Sequence, residues 1–147
     1  MNILDFETNY NFYQKYHTNS VNRIIHIFCI PMIVWTASIM LVNVNVTKTL
    51  NLSKCLLAFY SLYYLLFSFK LGVIMTFLLY LVYRNSIKHK GMKVQFMIAF
   101  LMHLVAWVLQ ILGHSLFENN RPAFIDNLVQ SFLMAPIFVL NEVISFF

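Results

Sequence analysis

The chain has 147 residues, 61% hydrophobic and only 10% charged, with a net charge of +5 and a mean hydropathy of +0.73. An ordinary soluble domain carries roughly a quarter charged residues, so this composition excludes a freely soluble globule and reads as one integral membrane domain over 1–147. The positive charge is concentrated in one short loop between apolar runs, which excludes a nucleic-acid binder as well.

The opening stretch "MNILDFETNYNFYQKYH" has neither the basic start nor the small-residue cleavage site of a signal peptide, so the first apolar run is expected to target the chain. That run extends from Ile24 to Val46. "TNS" before it offers Asn19 and Ser20 as helix N-caps, so a helix is expected to start there, leaving His17 free to fold back from the preceding loop. Asn22 and His26, four apart, then share a face, and Pro31 loosens the helix beside His26.

The second run, Cys55 to Tyr83, is interrupted by Lys70 and Gly72. At about 1.5 Å per residue it is too long for a hydrocarbon core of about 30 Å without strong tilt. A break at Lys70 and Gly72 makes it a short or re-entrant hairpin instead. The expected architecture is therefore all-α, a polytopic membrane helix bundle of four to five hydrophobic segments. Cys29 and Cys55 fit neither a disulfide framework nor a zinc site and read as inert thiols.

The connection "RNSIKHKGMK" carries Arg84, Lys88, Lys90 and Lys93, first a topology signal and second a contact for anionic lipid headgroups. His89 within it reads as a solvated loop residue. Asn45 and Asn51 head N-x-[ST] sequons in the loop after the first run.

The third run, Val94 to Leu112, leads into "HLVAWVLQILGHSLFENNRPAF". At about 100° per residue, His103, Gln110 and His114 fall on one stripe, with Glu118 a turn beyond if the helix continues. Such a stripe is expected to face a packed interior or watery cavity rather than lipid. The last run, Phe124 to Leu140, has Asp126, Asn127 and Gln130 near its start and Glu142 near its end, either a packed helix with a polar stripe or an interfacial one.

Ionisable residues in membrane segments are costly and mark functional sites. A lone intramembrane histidine often only hydrogen-bonds a neighbouring helix. Four histidines with a carboxylate and two amides in two patches favour a nitrogen-rich metal site, of the kind that suits redox-active iron. A non-enzymatic scaffold and a small metal or proton transporter are the alternatives. The clustered His-x3-His boxes of membrane hydroxylases and desaturases are absent from the sequence.

"HTNSVNRIIHIFCIP", "WVLQILGHSLFENNRPAF" and the closing "LMAPIFVLNEV" resemble the endoplasmic-reticulum 2-hydroxy fatty acid dioxygenase family, small multi-span proteins of phytosphingosine breakdown. The resemblance implies an iron(II)-dependent dioxygenase in the endoplasmic-reticulum membrane that converts a long-chain 2-hydroxy fatty acid and O2 to the acid one carbon shorter and CO2. It implies His17, His26 and His114 as iron ligands, with His103 joined to them by its place above His114. Asn22, Gln110 and Glu118 are expected to fix the imidazole tautomers, Glu118 also being a candidate ligand, and Arg121 to hold the substrate carboxylate. The family's motif has glycine where this chain has Cys29.

One site built from both patches requires the chain to cross the membrane an even number of times between His26 and His114. The break at Lys70 and Gly72 meets that requirement. It also gathers Lys48 and Lys54 with Arg84–Lys93 on one side, expected to be cytosolic, opposite Lys15, Arg23 and Arg121.

Overall fold

A computed structural model of the chain describes residues 4–118 and 122–145. The elements in order are α1 (Phe6–Gln14), α2 (Ser20–Leu41), α3 (Leu52–Phe67), α4 (Phe69–Ser86), a 3-10 turn (Ile87–His89), α5 (Lys93–Gly113) continuing as a π-helical turn (His114–Glu118), α6 (Ala123–Asp126) and α7 (Leu128–Ser145). The fold is all-helical, and among the described residues the extended pairing is limited to an isolated bridge between Asn45 and Asn51. Among the described residues three helices are long and apolar enough to cross a membrane: Ser20–Leu41, Lys93–Glu118 and Leu128–Ser145. At 16 residues, α3 spans about 24 Å and falls short of a hydrocarbon core.

The chain forms two compact units, Met1–Pro31 with Trp107–Phe147, and Met32–Ala106. In the first, α1 packs on α7. Asp5 caps α1, its carboxylate accepting from the Thr8 N–H at 3.2 Å and the Thr8 hydroxyl at 2.6 Å. Asn9 accepts from the Gln130 amide at 2.8 Å. Glu142 is 4% exposed and bound by the Arg23 guanidinium from α2 and the Tyr10 hydroxyl from α1. A carboxylate that deep in an apolar molecule requires such partners. Of the two readings of the last run, the packed helix is realised: Gln130, Ser131 and Glu142 are buried.

In the second unit the long run breaks, but at Ser68 instead of Lys70. Ser68 is extended (φ −157°, ψ 110°), and Lys70 is an exposed residue of α4. Gly72 makes the tight return possible: a Cβ there would sit 2.6 Å from the Leu65 Cα and against the Tyr64 carbonyl. Lysine is tolerated within a helix, whereas the chain turns where backbones must touch, which is why the glycine marks the hairpin better than the charge does. Ser38 on α2 bonds Ser53 on α3 at 2.7 Å, and Trp35 donates to Asn85 at 2.7 Å.

Gly72→Ala is expected to force α3 and α4 apart and cost roughly 1–3 kcal/mol, the usual penalty for overpacking. A lowered thermal midpoint of the purified protein in detergent, followed by circular dichroism, is the readout, and an unchanged midpoint would mean that the hairpin does not depend on this contact.

Candidate metal centre

His17 follows the end of α1. Its N–H bonds the Gln14 carbonyl at 2.9 Å, and its ring folds back onto Tyr13, stacked at 4.1 Å and 12°. Its Nδ1 lies 2.7 Å from the Tyr13 carbonyl. A carbonyl can only accept, so Nδ1 carries the proton and Nε2 keeps its lone pair. His26 on α2 is held the same way, its Nδ1 2.9 Å from the Asn22 carbonyl. The expected N-cap is present too, with the Asn19 side chain accepting from the Val21 N–H at 2.9 Å.

His114 opens the π-helical turn at the end of α5. The three rings meet with centroids 4.5, 4.8 and 5.0 Å apart, each pair nearly perpendicular, and one ligand atom from each lies within 4.8 Å of the others. All three residues are buried, and His17 Nε2 and His114 Nδ1 have no hydrogen-bond partner. Unpartnered nitrogens in an apolar interior are costly. Two imidazoles with Nδ1–H fixed on carbonyls and Nε2 free fit a divalent metal ion, and three nitrogen ligands leave open coordination positions.

Glu118 stays out of this trio. Its oxygens accept from the Thr18 hydroxyl at 2.6 Å, the Asn19 N–H at 2.9 Å and the Asn22 amide at 3.0 Å. The π-helical turn thus brings a carboxylate to the N-terminus of α2, where unsatisfied N–H groups and the helix dipole favour it. Its role is to join the strand of chain carrying His17 and His26 to the helix carrying His114. Asn22 orients His26 through its main-chain carbonyl, while its side chain serves Glu118. Gly113 permits the close approach: a Cβ there would lie 2.6 Å from Asn22 Oδ1.

Gln110 is buried one turn before His114, with its amide nitrogen unpartnered. His103 lies in the other unit, its Nδ1 2.9 Å from the Thr36 hydroxyl of α2, and it is not in the metal-competent group. Arg121 lies outside the described residues. Tyr13 and Phe138 were not legible as site residues. Tyr13 supplies both carbonyl and stacking face for His17, and Phe138 on α7 packs 4.9 Å from Tyr13 and 5.3 Å from His17. The one available signal was the spacing of Tyr13 four residues before His17.

Burial above all, then the neighbouring His26, pushes the His17 pKa from 6.5 down to about 2. This imidazole stays neutral when folded but is protonated below pH 6.5 when unfolded, so stability falls as pH drops from 6.5 toward 2. The metal-free protein is expected to lose roughly 2 kcal/mol between about pH 6.5 and 5 from this group, seen as a falling unfolding midpoint in detergent. A flat profile would show that His17 protonates in place. Glu118→Ala leaves three donors without their acceptor and is expected to cost roughly 2 kcal/mol, with weakened cobalt(II) binding by absorption titration as the second readout. Unchanged cobalt affinity would separate Glu118 from the histidines.

The family profile described as 2-hydroxy-palmitic acid dioxygenase Mpo1-like matches residues 3–146. The 2-hydroxy-palmitic acid dioxygenase MPO1 of Saccharomyces cerevisiae is 34% identical over 140 residues, covering 95% of this chain and 80% of the yeast protein. No solved structure matches the chain. A profile match over nearly the whole sequence, together with that identity, makes this chain a member of the Mpo1-like family.

Proposed function

We propose that the chain is an iron(II)-dependent dioxygenase of the endoplasmic-reticulum membrane that converts a long-chain 2-hydroxy fatty acid to the acid one carbon shorter. Family membership supports an enzyme of 2-hydroxy fatty acid oxidation. The observation that carries the reading is the meeting of His17, His26 and His114 in a buried group with unpartnered ring nitrogens.

The stoichiometry closes without an added reductant: R–CH(OH)–COOH and O2 give R–COOH, CO2 and H2O. The C1–C2 bond breaks, the substrate gives up four electrons and dioxygen takes up four. Iron, held by His17, His26 and His114, would supply the redox chemistry between a closed-shell acid and dioxygen.

The chain's own residues do the rest. The Tyr13 and Asn22 carbonyls hold two imidazoles in the tautomer that presents Nε2. Glu118 keeps the start of α2 against the end of α5, which fixes the spacing of the three rings. Phe138 and Tyr13 wall His17 with aromatic surface and exclude water. Arg121 is assigned to the substrate carboxylate on its charge and its place in the sequence three residues after Glu118, and Gln110 to a polar contact beside His114. We assign His103 to its hydrogen bond with Thr36 and not to the metal.

The test is anaerobic purification in detergent, metal analysis, and incubation with iron(II), oxygen and 2-hydroxypalmitate while following pentadecanoate. His114→Ala is expected to keep its abundance and lose turnover by at least about a hundredfold, about 2.7 kcal/mol in barrier. If the wild type holds no iron and forms no product, and His114→Ala is merely unstable, the histidines are helix-packing groups and the chain a scaffold.

A further inference from the structure

The unit Met32–Ala106 contains no aspartate or glutamate, yet besides Lys70 in the α3–α4 hairpin it carries Lys48, Lys54, Arg84, Lys88, Lys90 and Lys93, all exposed. The structure gathers them at one end of this unit. Lys90 Nζ donates to Asn45 Oδ1 at 2.7 Å, and the Gly91 N–H, in a left-handed turn (φ 79°), donates to Asn43 Oδ1 at 2.7 Å. Asn51, the cap of α3, donates to the hydroxyl of Tyr83, the neighbour of Arg84. The α2–α3 and α4–α5 connections are therefore one ordered surface.

Two features of that surface call for an external anion. Lys54 and Lys93 lie in the first turns of α3 and α5, with no acidic residue there. The helix dipole disfavours a cation at that position, so internal stability does not account for them. Exposed aliphatic residues are interleaved with the lysines: Val44, Val46 and Leu50 on one connection, Met92 and Val94 on the other. A surface for a soluble polyanion has no use for such side chains. The boundary between headgroups and acyl chains accommodates both, with lysine stems lying along apolar surface and their charges reaching phosphate.

We propose that this end of the Met32–Ala106 unit binds the headgroup phosphates of anionic phospholipids in the leaflet it enters. The cations are then more than a topology signal: they form a lipid-selective contact that seats the α3–α4 hairpin at a negatively charged membrane face. The inference is independent of the catalytic reading.

Purified full-length protein in detergent removes membrane orientation from the question. Binding of fluorescent phosphatidylserine and phosphatidylcholine is compared at 0.15 M and 0.5 M salt, for wild type and for Lys48→Gln/Lys54→Gln/Lys88→Gln/Lys93→Gln, which spares the Lys90 contact. Wild type is expected to prefer phosphatidylserine by about tenfold or more at the lower salt and to lose much of that preference at the higher. The quadruple variant is expected to bind both lipids alike. Equal binding by wild type, or a preference that survives in the variant, overturns the proposal. Displacement of the labelled lipid by millimolar inorganic phosphate would make this a soluble-anion site and equally overturn it. If the quadruple variant folds poorly, Lys48→Glu, at an exposed loop position, takes its place: a several-fold drop in preference supports the proposal, and an unchanged preference sinks it.

Discussion

Two main-chain carbonyls, those of Tyr13 and Asn22, decide what the buried histidines can be. Each takes the Nδ1 proton of the imidazole four residues on. A histidine in an apolar interior otherwise has two nitrogens to satisfy, and packing helices would use both. With one nitrogen committed to the local backbone, the other is left without a protein partner, as seen at His17 Nε2. A group built only to hold helices together would not leave such atoms buried and empty, since each costs more than the hydrogen bond it forgoes. Convergence of His17 and His26 with His114, whose Nδ1 is itself unpartnered, gives a buried group able to hold a metal ion.

Rigid spacing is then required of three rings from three different elements, and carboxylates provide much of it. Glu118 ties the π-helical turn to the start of α2, and Glu142 ties α7 to Arg23 of α2 and Tyr10 of α1. His17 has no helix of its own, so its position rests on the Tyr13 stack and on Phe138 behind it. Removing one partner of a buried ion pair leaves an uncompensated charge. The same contacts that place the rings therefore also hold the unit together.

Much of this was legible in the residues. The spacing of Asn22 and His26, the cap at Asn19 and the loop position of His17 follow from helix periodicity and capping preference, and the need for two patches to meet led to the broken second run. Other features escaped for physical reasons. The break falls at Ser68 because backbone contact, not charge, governs where a hairpin turns, and single-residue extended geometry leaves no composition signal. Glu118 was expected to serve the imidazoles. A π-helical turn is invisible to a 3.6-residue stripe, and it brings the carboxylate to the start of α2, where it bonds Thr18, Asn19 and Asn22. The same stripe placed His103 with His114, whereas its nitrogen finds Thr36. Aromatic residues such as Phe138 are too common in a membrane chain to stand out.

The distribution of charge gives the two units different physical characters. Every acidic residue lies in the unit Met1–Pro31 with Trp107–Phe147, and most are committed inside it: Asp5 to Thr8, Glu118 to Thr18, Asn19 and Asn22, Asp126 to Tyr16, and Glu142 to Arg23 and Tyr10. The Glu118 and Glu142 carboxylates take up half-buried donors, Asn22 and Arg23 among them, while the bonds of Asp5 and Asp126 lie at exposed positions. The bases of Met32–Ala106 have no carboxylate in their own unit to answer them. A membrane chain has few charges to deploy. Here Glu118 and Glu142 tie together the unit that carries the three histidines, whereas the cations of Met32–Ala106 stand exposed, facing the anionic lipid proposed for them.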